Sequence, residues 1–133
     1  MILTFSKPEF VEAITAGTKI HTIREDKTFR WRSERKIQFW KGNPRNVKSN
    51  PYQFGTGICT KVRIIQLDFW KETVTIFGDD FCEITDFDEL DEFAENDGFA
   101  SWDYMKEWFQ DNGYTDIFIG KIIYFSYVPS IPD

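Results

Sequence analysis

Ala16-Gly17-Thr18-Lys19-Ile20-His21-Thr22-Ile23-Arg24-Glu25-Asp26 joins a short helix to a short strand, and its chemistry is denser than a surface turn requires. Just upstream, Ser6-Lys7-Pro8-Glu9 sets Ser and Glu three apart in a capping-box pattern, with Pro in the permitted first turn. Phe5, Phe10, Val11 and Ile14 give that helix one apolar face, and Gly17 is a natural stop. Residues 19–24 read as the strand that follows. The unit presents a lysine, a histidine, a threonine, an arginine and two acids in quick succession, a mixture suited to holding, polarising or cleaving a polar ligand.

The rest of the chain supplies a frame for that unit. Residues 36–41 alternate as a strand, and residues 42–54 read as a loop with two Asn-Pro steps that exposes Arg45 and Lys48. Residues 57–69 form a strand long enough to require a bend or bulge. Strands at 73–77 and 81–84 follow, with a turn at Gly78-Asp79-Asp80 between them. Thr85 and Asp88 mark the start of a second helix, with Phe87, Leu90, Phe93 and Ala94 at helical spacing and Gly98 at its end. Ser101 caps a third, whose stripe is Trp102, Met105, Trp108 and Phe109. Residues 118–128 are the last strand and 129–133 a tail. The order predicts one α+β domain over residues 1–128, a small curled sheet or barrel with helices packed outside it.

Composition sets the bounds. The chain has 133 residues, 41% hydrophobic and 18% aromatic, which fits a globular domain. It holds no run of about 18 apolar residues, so no membrane span is expected. The first residues lack a signal peptide's features, and cytoplasmic residence is the expectation. Cys59 and Cys82 are too few for a disulfide framework, are not spaced as a metal knuckle, and read as buried thiols. With one histidine in the chain, neither a metal nor an organic cofactor is expected. The net charge of −6 is unevenly spread: residues 1–63 carry 13 Lys/Arg against 5 Asp/Glu, and residues 64–133 carry 3 against 17. A basic face beside an acidic one, or two halves that attract each other within the domain, both fit this asymmetry.

The chemistry of the opening stretch can be laid out by residue. A threonine hydroxyl is a nucleophile only when a base takes its proton. A lysine is that base only when burial or a nearby cation lowers its pKa. Arg24 lies two residues beyond Thr22, on the same strand face, where it depresses Lys19 or holds a phosphate or oxyanion. Lys19 and Thr22 differ in strand parity, which places Lys19 on the turn. Lys19 and Arg24 fit equally well as strand-end charges paired with Glu25 and Asp26. His21, on the opposite face, reads as a packed or surface residue. Farther on, Phe29, Trp31, Phe39, Trp40, Tyr52 and Phe54 interleave with Lys27, Arg30, Arg32, Arg35, Lys36, Lys41, Arg45 and Lys48. Aromatic rings beside cations stack bases and contact phosphates in single-strand binders, which adds Trp31, Arg45, Lys48 and Tyr52 to Arg24 as ligand-binding candidates. Core packing accounts for most of these rings as well, with one or two of Trp31, Tyr52 and Phe54 expected at the surface. The acidic run 86–92 reads as a solvated helix face or a surface for a protein partner.

Phe10-x3-Ile14-x2-Gly17-x-Lys19-x2-Thr22-Ile23-Arg24, followed far downstream by Ala94-x2-Asp97-Gly98-Phe99, resembles the ASCH domain. The resemblance runs from Phe5 to about residue 125 and implies a PUA-like fold, a small β-barrel flanked by helices. It also implies an RNA, nucleoside or nucleotide ligand. Compact bacterial members of that family are amidohydrolases that deacylate N4-acetylcytidine through a lysine, a threonine and a glutamate, and other members are linked to RNA cleavage. Lys19 and Thr22 match the first two by position. Asp97 is the nearest match to the glutamate and is one methylene shorter; Glu95 lies two residues earlier on a helix and points elsewhere. The resemblance thus implies a pocket in which Lys19, Thr22, Arg24 and Asp97 converge, with Asp97 protonating a leaving amine. In the turn before the third strand, members often carry Trp-x2-Gly, whereas this chain has Trp31-Arg32-Ser33-Glu34. Residues 42–54 look like an elaboration on the compact members.

Overall fold

A computed structural model describes residues 1–26 and 30–130. Lys27, Phe29 and the last three residues of the tail, all named above, lie outside the described residues. The elements run β1 (Ile2–Phe5), α1 (Pro8–Ala16), β2 (His21–Arg24), β3 (Lys36–Lys41), β4 (Tyr52–Asp68), β5 (Thr73–Phe77), β6 (Cys82–Ile84), α2 (Phe87–Asn96), α3 (Trp102–Asp111) and β7 (Ile117–Pro129), with a short 3-10 turn at Val47–Ser49. The protein is α+β.

β4 is the spine of the sheet. Its first part pairs antiparallel with β3, its last part with β5, and β7 runs antiparallel along nearly all of it. β1 joins β3 in parallel, β6 joins β5, and β2 joins β7. The sheet is not closed. Among the described residues β1 pairs only with β3 and β2 only with β7. Arg24 at the end of β2 nevertheless donates to the Thr4 carbonyl of β1 at 2.9 Å, so these two edges face each other across a seam.

The bulge required by the length of β4 falls at Thr60, which the β4–β7 register skips between Cys59 and Lys61. One extra residue reverses side-chain parity beyond it. Cys59 therefore packs with Phe125, Phe39 and Ile37 in one core, closed by Phe10 and Ile14 of α1. Ile65 and Leu67, also odd-numbered, pack in a second core against Leu90, Phe93, Met105 and Phe109 of α2 and α3. On β7 the successive residues Ile122 and Ile123 are fully buried in opposite cores. Burying a side chain of that size contributes about 2 kcal/mol.

Several local expectations need correction. The N-cap of α1 is Lys7, without a side-chain cap, so the Ser6 capping box does not form; Pro8 starts the helix and Gly17, at φ 83°, ends it. The cap of α2 is Asp86, whose carboxylate accepts from the Glu89 amide, not Thr85. Ser101 caps α3 as expected. β4 begins at Tyr52, inside the stretch read as a loop. Cys59 is buried, which pushes its thiol pKa up, but Cys82 is exposed. Glu34 occupies the turn position where the resemblance leads one to expect glycine, and its φ of 72° is one that favours glycine.

Ion pairs join the basic and acidic parts of the chain: Lys61 and Arg63 with Asp80, and Lys121 with Asp26. Attraction between the halves thus has a structural counterpart. Among the described residues no helix is long and apolar enough to cross a membrane.

Candidate functional site

The α1–β2 turn delivers Lys19 to the end of another helix. Gly17 takes the left-handed conformation, and the amides of Thr18 and Lys19 both donate to the Ala13 carbonyl. Lys19 is therefore off the β-ladder, as its parity with Thr22 required. The Ile20 amide donates to the Asn96 carbonyl and docks the turn on the C-terminus of α2. The Lys19 ammonium then donates to the Asp97 carbonyl, and to the His21 carbonyl at 2.9 Å, with the Asp97 carboxylate at 3.7 Å. α2 has no basic residue in its last turn, so Lys19 provides the positive charge that a helix C-terminus favours. Gly98 makes the approach feasible. A Cβ there would lie 2.8 Å from Lys19 Cδ and 3.0 Å from Phe10 Cδ1.

Alternation along β2 divides its side chains. His21 faces the helical core, stacked on Phe93 and edge-on to Tyr124, and its Nδ1 lies 2.7 Å from Asp97 Oδ1. Thr22 and Arg24 face the other way. Arg24 Nε donates to Thr22 Oγ1 at 3.4 Å, and the guanidinium lies 5.0 Å from the centre of the Phe5 ring. The Lys19 ammonium lies 5.1 Å from the centre of the Phe10 ring.

These groups line a cleft of about 260 Å³ in the seam between β1 and β2. Its polar lining includes Thr4, Lys19, Thr22, Arg24 and Asp97, and its aromatic walls include Phe5, Phe10, Phe99 and Trp108. Burial lowers the Lys19 pKa to about 8, with Asp97 opposing the shift and Arg24 adding to it. Lys19 remains mostly protonated at pH 7. Burial also lowers the Arg24 pKa, yet a guanidinium stays charged throughout the working range. The cleft therefore offers two cations, a carboxylate held by His21, and aromatic walls. Thr22 Oγ1 accepts from Arg24, while Lys19 directs protons to two carbonyls; a proton transfer from Thr22 requires Lys19 to leave one of them.

Lys19, Thr22, Arg24 and Asp97 are thus brought together. The alternative pairing of Lys19 with Glu25 or Asp26 is not what is seen. Its carboxylate partner is Asp97, and Asp26 instead accepts from the Arg30 and Trp31 amides. The other ligand-binding candidates lie elsewhere. Trp31 is 6% exposed and packed in the α1 core, so it is no open stacking platform; it borders a neighbouring groove with Arg24 and Arg30. Arg45, Lys48 and Tyr52 are exposed as expected but do not line the cleft. The acids of the 86–92 run are partly engaged in structure: Asp86 caps its helix and Asp91 accepts from the Trp102 amide.

Two parts of the site escaped the sequence. The aromatic walls read only as helix and strand faces, and nothing local separates Phe10 or Trp108 from ordinary core. The His21–Asp97 contact depends on the end of α2 passing under β2, a tertiary fact that alternation does not encode. Among the described residues no cluster of three His, Cys, Asp or Glu side chains is placed to hold a metal ion. No family model matches the chain, and no match was found among curated proteins or solved structures.

Proposed function

We propose that this chain is an ASCH-type domain of PUA-like fold that binds RNA, a nucleoside or a nucleotide in the seam cleft. One observation carries the reading: the buried Lys19 and the part-buried Arg24 meet Phe5, Phe10, Phe99 and Trp108 in a single cavity. Arginine suits phosphate or carbonyl oxygens through its planar fork, and aromatic edges and faces suit a flat base. A volume of about 260 Å³ accommodates one ring system with its polar substituents, at the small end of ligand cavities. The test is calorimetric titration with cytidine 5′-monophosphate and a short single-stranded RNA, using the wild type, Lys19→Ala and Arg24→Ala. Binding that weakens with salt and is lost in both folded variants is the expected result. Undiminished binding in both variants, or none in the wild type, overturns it.

Lys19, with its pKa near 8 beside Thr22, favours a second reading, hydrolysis of an N4-acylcytidine-type amide. Lys19 would take the Thr22 proton, Thr22 Oγ1 would attack the acyl carbon, and Arg24 would face the oxyanion. The proton taken by Lys19 would pass, through the adjoining Asp97 carboxylate, to the departing amine as the C–N bond breaks, and water would release the acyl group from Thr22. Incubation with N4-acetylcytidine, read by mass spectrometry, tests it. Loss of acetyl with the wild type and not with Thr22→Val is expected; equal rates reject the mechanism. Strand scission of a short single-stranded RNA incubated in parallel would assign the nucleophile to a phosphodiester instead.

A further inference from the structure

The cleft does not end at its aromatic wall. A second cavity, about 670 Å³, is bordered by Phe10, Phe99 and Trp108, the same three rings that border the cleft, so the two spaces adjoin through that wall. The room in the outer space comes from small residues: Ala13 on α1, and Gly98 and Ala100 between α2 and α3. Its other side is aromatic. Tyr104 and Trp108 are four residues apart on α3, share a face, and line the space together. Tyr104 is 63% exposed, which leaves its ring available to a ligand. The charges around this shelf are Lys7, Glu9 and Glu95, so it lacks the positive excess of the inner cleft.

We infer that the site takes a ligand of two ring systems: a nucleotide in the cleft, joined through one linkage to a second, uncharged ring on the Tyr104–Trp108 shelf. The simplest such ligand is a two-nucleotide unit of single-stranded RNA. Further nucleotides gain nothing, because their phosphates meet Glu9 and Glu95. The inference rests on the nucleotide reading of the cleft and adds the shelf to it.

The experiment titrates the full chain with pC, pCpA and pCpApApA, which share the 5′-phosphate, using the wild type and Tyr104→Ala. Alanine at an exposed helix position keeps the helix. Stacking of one base on an aromatic ring predicts that pCpA binds roughly tenfold tighter than pC. Tyr104→Ala removes that gain and leaves pC affinity unchanged, and pCpApApA binds within about twofold of pCpA. Ala100→Leu, which fills part of the same cavity, gives the same loss. Equal wild-type affinity for pC and pCpA overturns the shelf while the cleft stands. So does a Tyr104→Ala variant that weakens pC and pCpA alike, or affinity that climbs with every added nucleotide. If none of the three binds the folded protein, the nucleotide reading fails and the shelf with it.

Discussion

β4 and β7 form a ladder paired along nearly all of β4, whereas β1 and β2 face each other with no ladder between them. The ladder is tight. A Cβ on Gly57 would lie 2.0 Å from the Ser126 carbonyl oxygen, and one on Gly55 2.7 Å from that of Val128. Its inward side chains are almost all apolar, because the backbone polar groups already have partners. Across the seam the situation is reversed. Five polar or charged residues are buried among the described residues, and four of them, Lys19, His21, Thr22 and Asp97, gather there. The fifth, Asp68, accepts from the Trp70 and Lys71 amides in a turn. Polar burial in this protein is concentrated where strand pairing stops, and so is the chemistry.

The largest effect expected from breaking that contrast is at Asp97. Asp97→Ala leaves the Lys19 ammonium and the His21 ring without their carboxylate, and loss of one partner from a buried charge pair costs about 3–5 kcal/mol. Urea denaturation reads it; a loss under about 1 kcal/mol would mean the seam is not a coupled network. Gly98→Val comes next. It combines a φ of 95° with a side chain driven into Lys19 and Phe10, for a cost of about 2–3 kcal/mol.

Titration sharpens the comparison further. The Lys19 pKa is about 8 in the folded chain, against 10.5 for the freely solvated lysine of the unfolded chain. Between those values the unfolded state binds more protons, so stability rises with pH through this window. Below pH 8 both states are protonated and the full cost of burying the charge is present. Wild-type stability measured against Lys19→Met between pH 7 and 10.5 should show that rise only in the wild type. Affinity for an anionic ligand should fall over the same range. A flat difference between the two proteins would refute a depressed Lys19.

The smallest effect lies on the paired side. Glu34 sits at positive φ, with its amide donating to the Cys59 carbonyl at 2.7 Å. Glu34→Gly relieves the backbone at the expense of a looser unfolded chain, for a net gain of about 0.5–1 kcal/mol in thermal or urea melts. Destabilisation would show that the Glu34 side chain contributes more than its backbone costs.

Local patterns in the sequence carried the frame well and the site only in part. The apolar stripe of α3, the Leu90, Phe93 and Ala94 stripe of α2, the Ser101 cap and the long strand with its bulge follow from periodicity, length and capping chemistry, whereas Phe87, read with the α2 stripe, is exposed at the first turn of the helix. Ser6 did not cap α1 and Thr85 did not cap α2, because a neighbouring residue took the N-cap position in each case. The Lys19–Thr22–Arg24 grouping was visible because turn and strand parity are local. Asp97, over seventy residues downstream, was visible only through resemblance. Trp31 was misplaced because an aromatic flanked by arginines looks the same whether its ring is packed or open. The deciding fact is the Asp26 carboxylate holding the Trp31 amide, a contact set by the turn.

The bulge at Thr60 behaves like a shift of reading frame. Between Gly55 and Cys59 the odd-numbered residues of β4 face one core, and beyond Thr60 they face the other, because one residue goes uncounted while β7 keeps its alternation. The strand should therefore accept substitutions at the exposed Thr60 readily, since no partner on β7 depends on its identity. Deleting the same residue should be accepted as well, because Cys59 stays opposite Phe125 and Lys61 opposite Tyr124, and Ile65 and Leu67 keep their places opposite Gly120 and Phe118. For this chain the register against β7, and not the count of residues in β4, decides which side chains are buried.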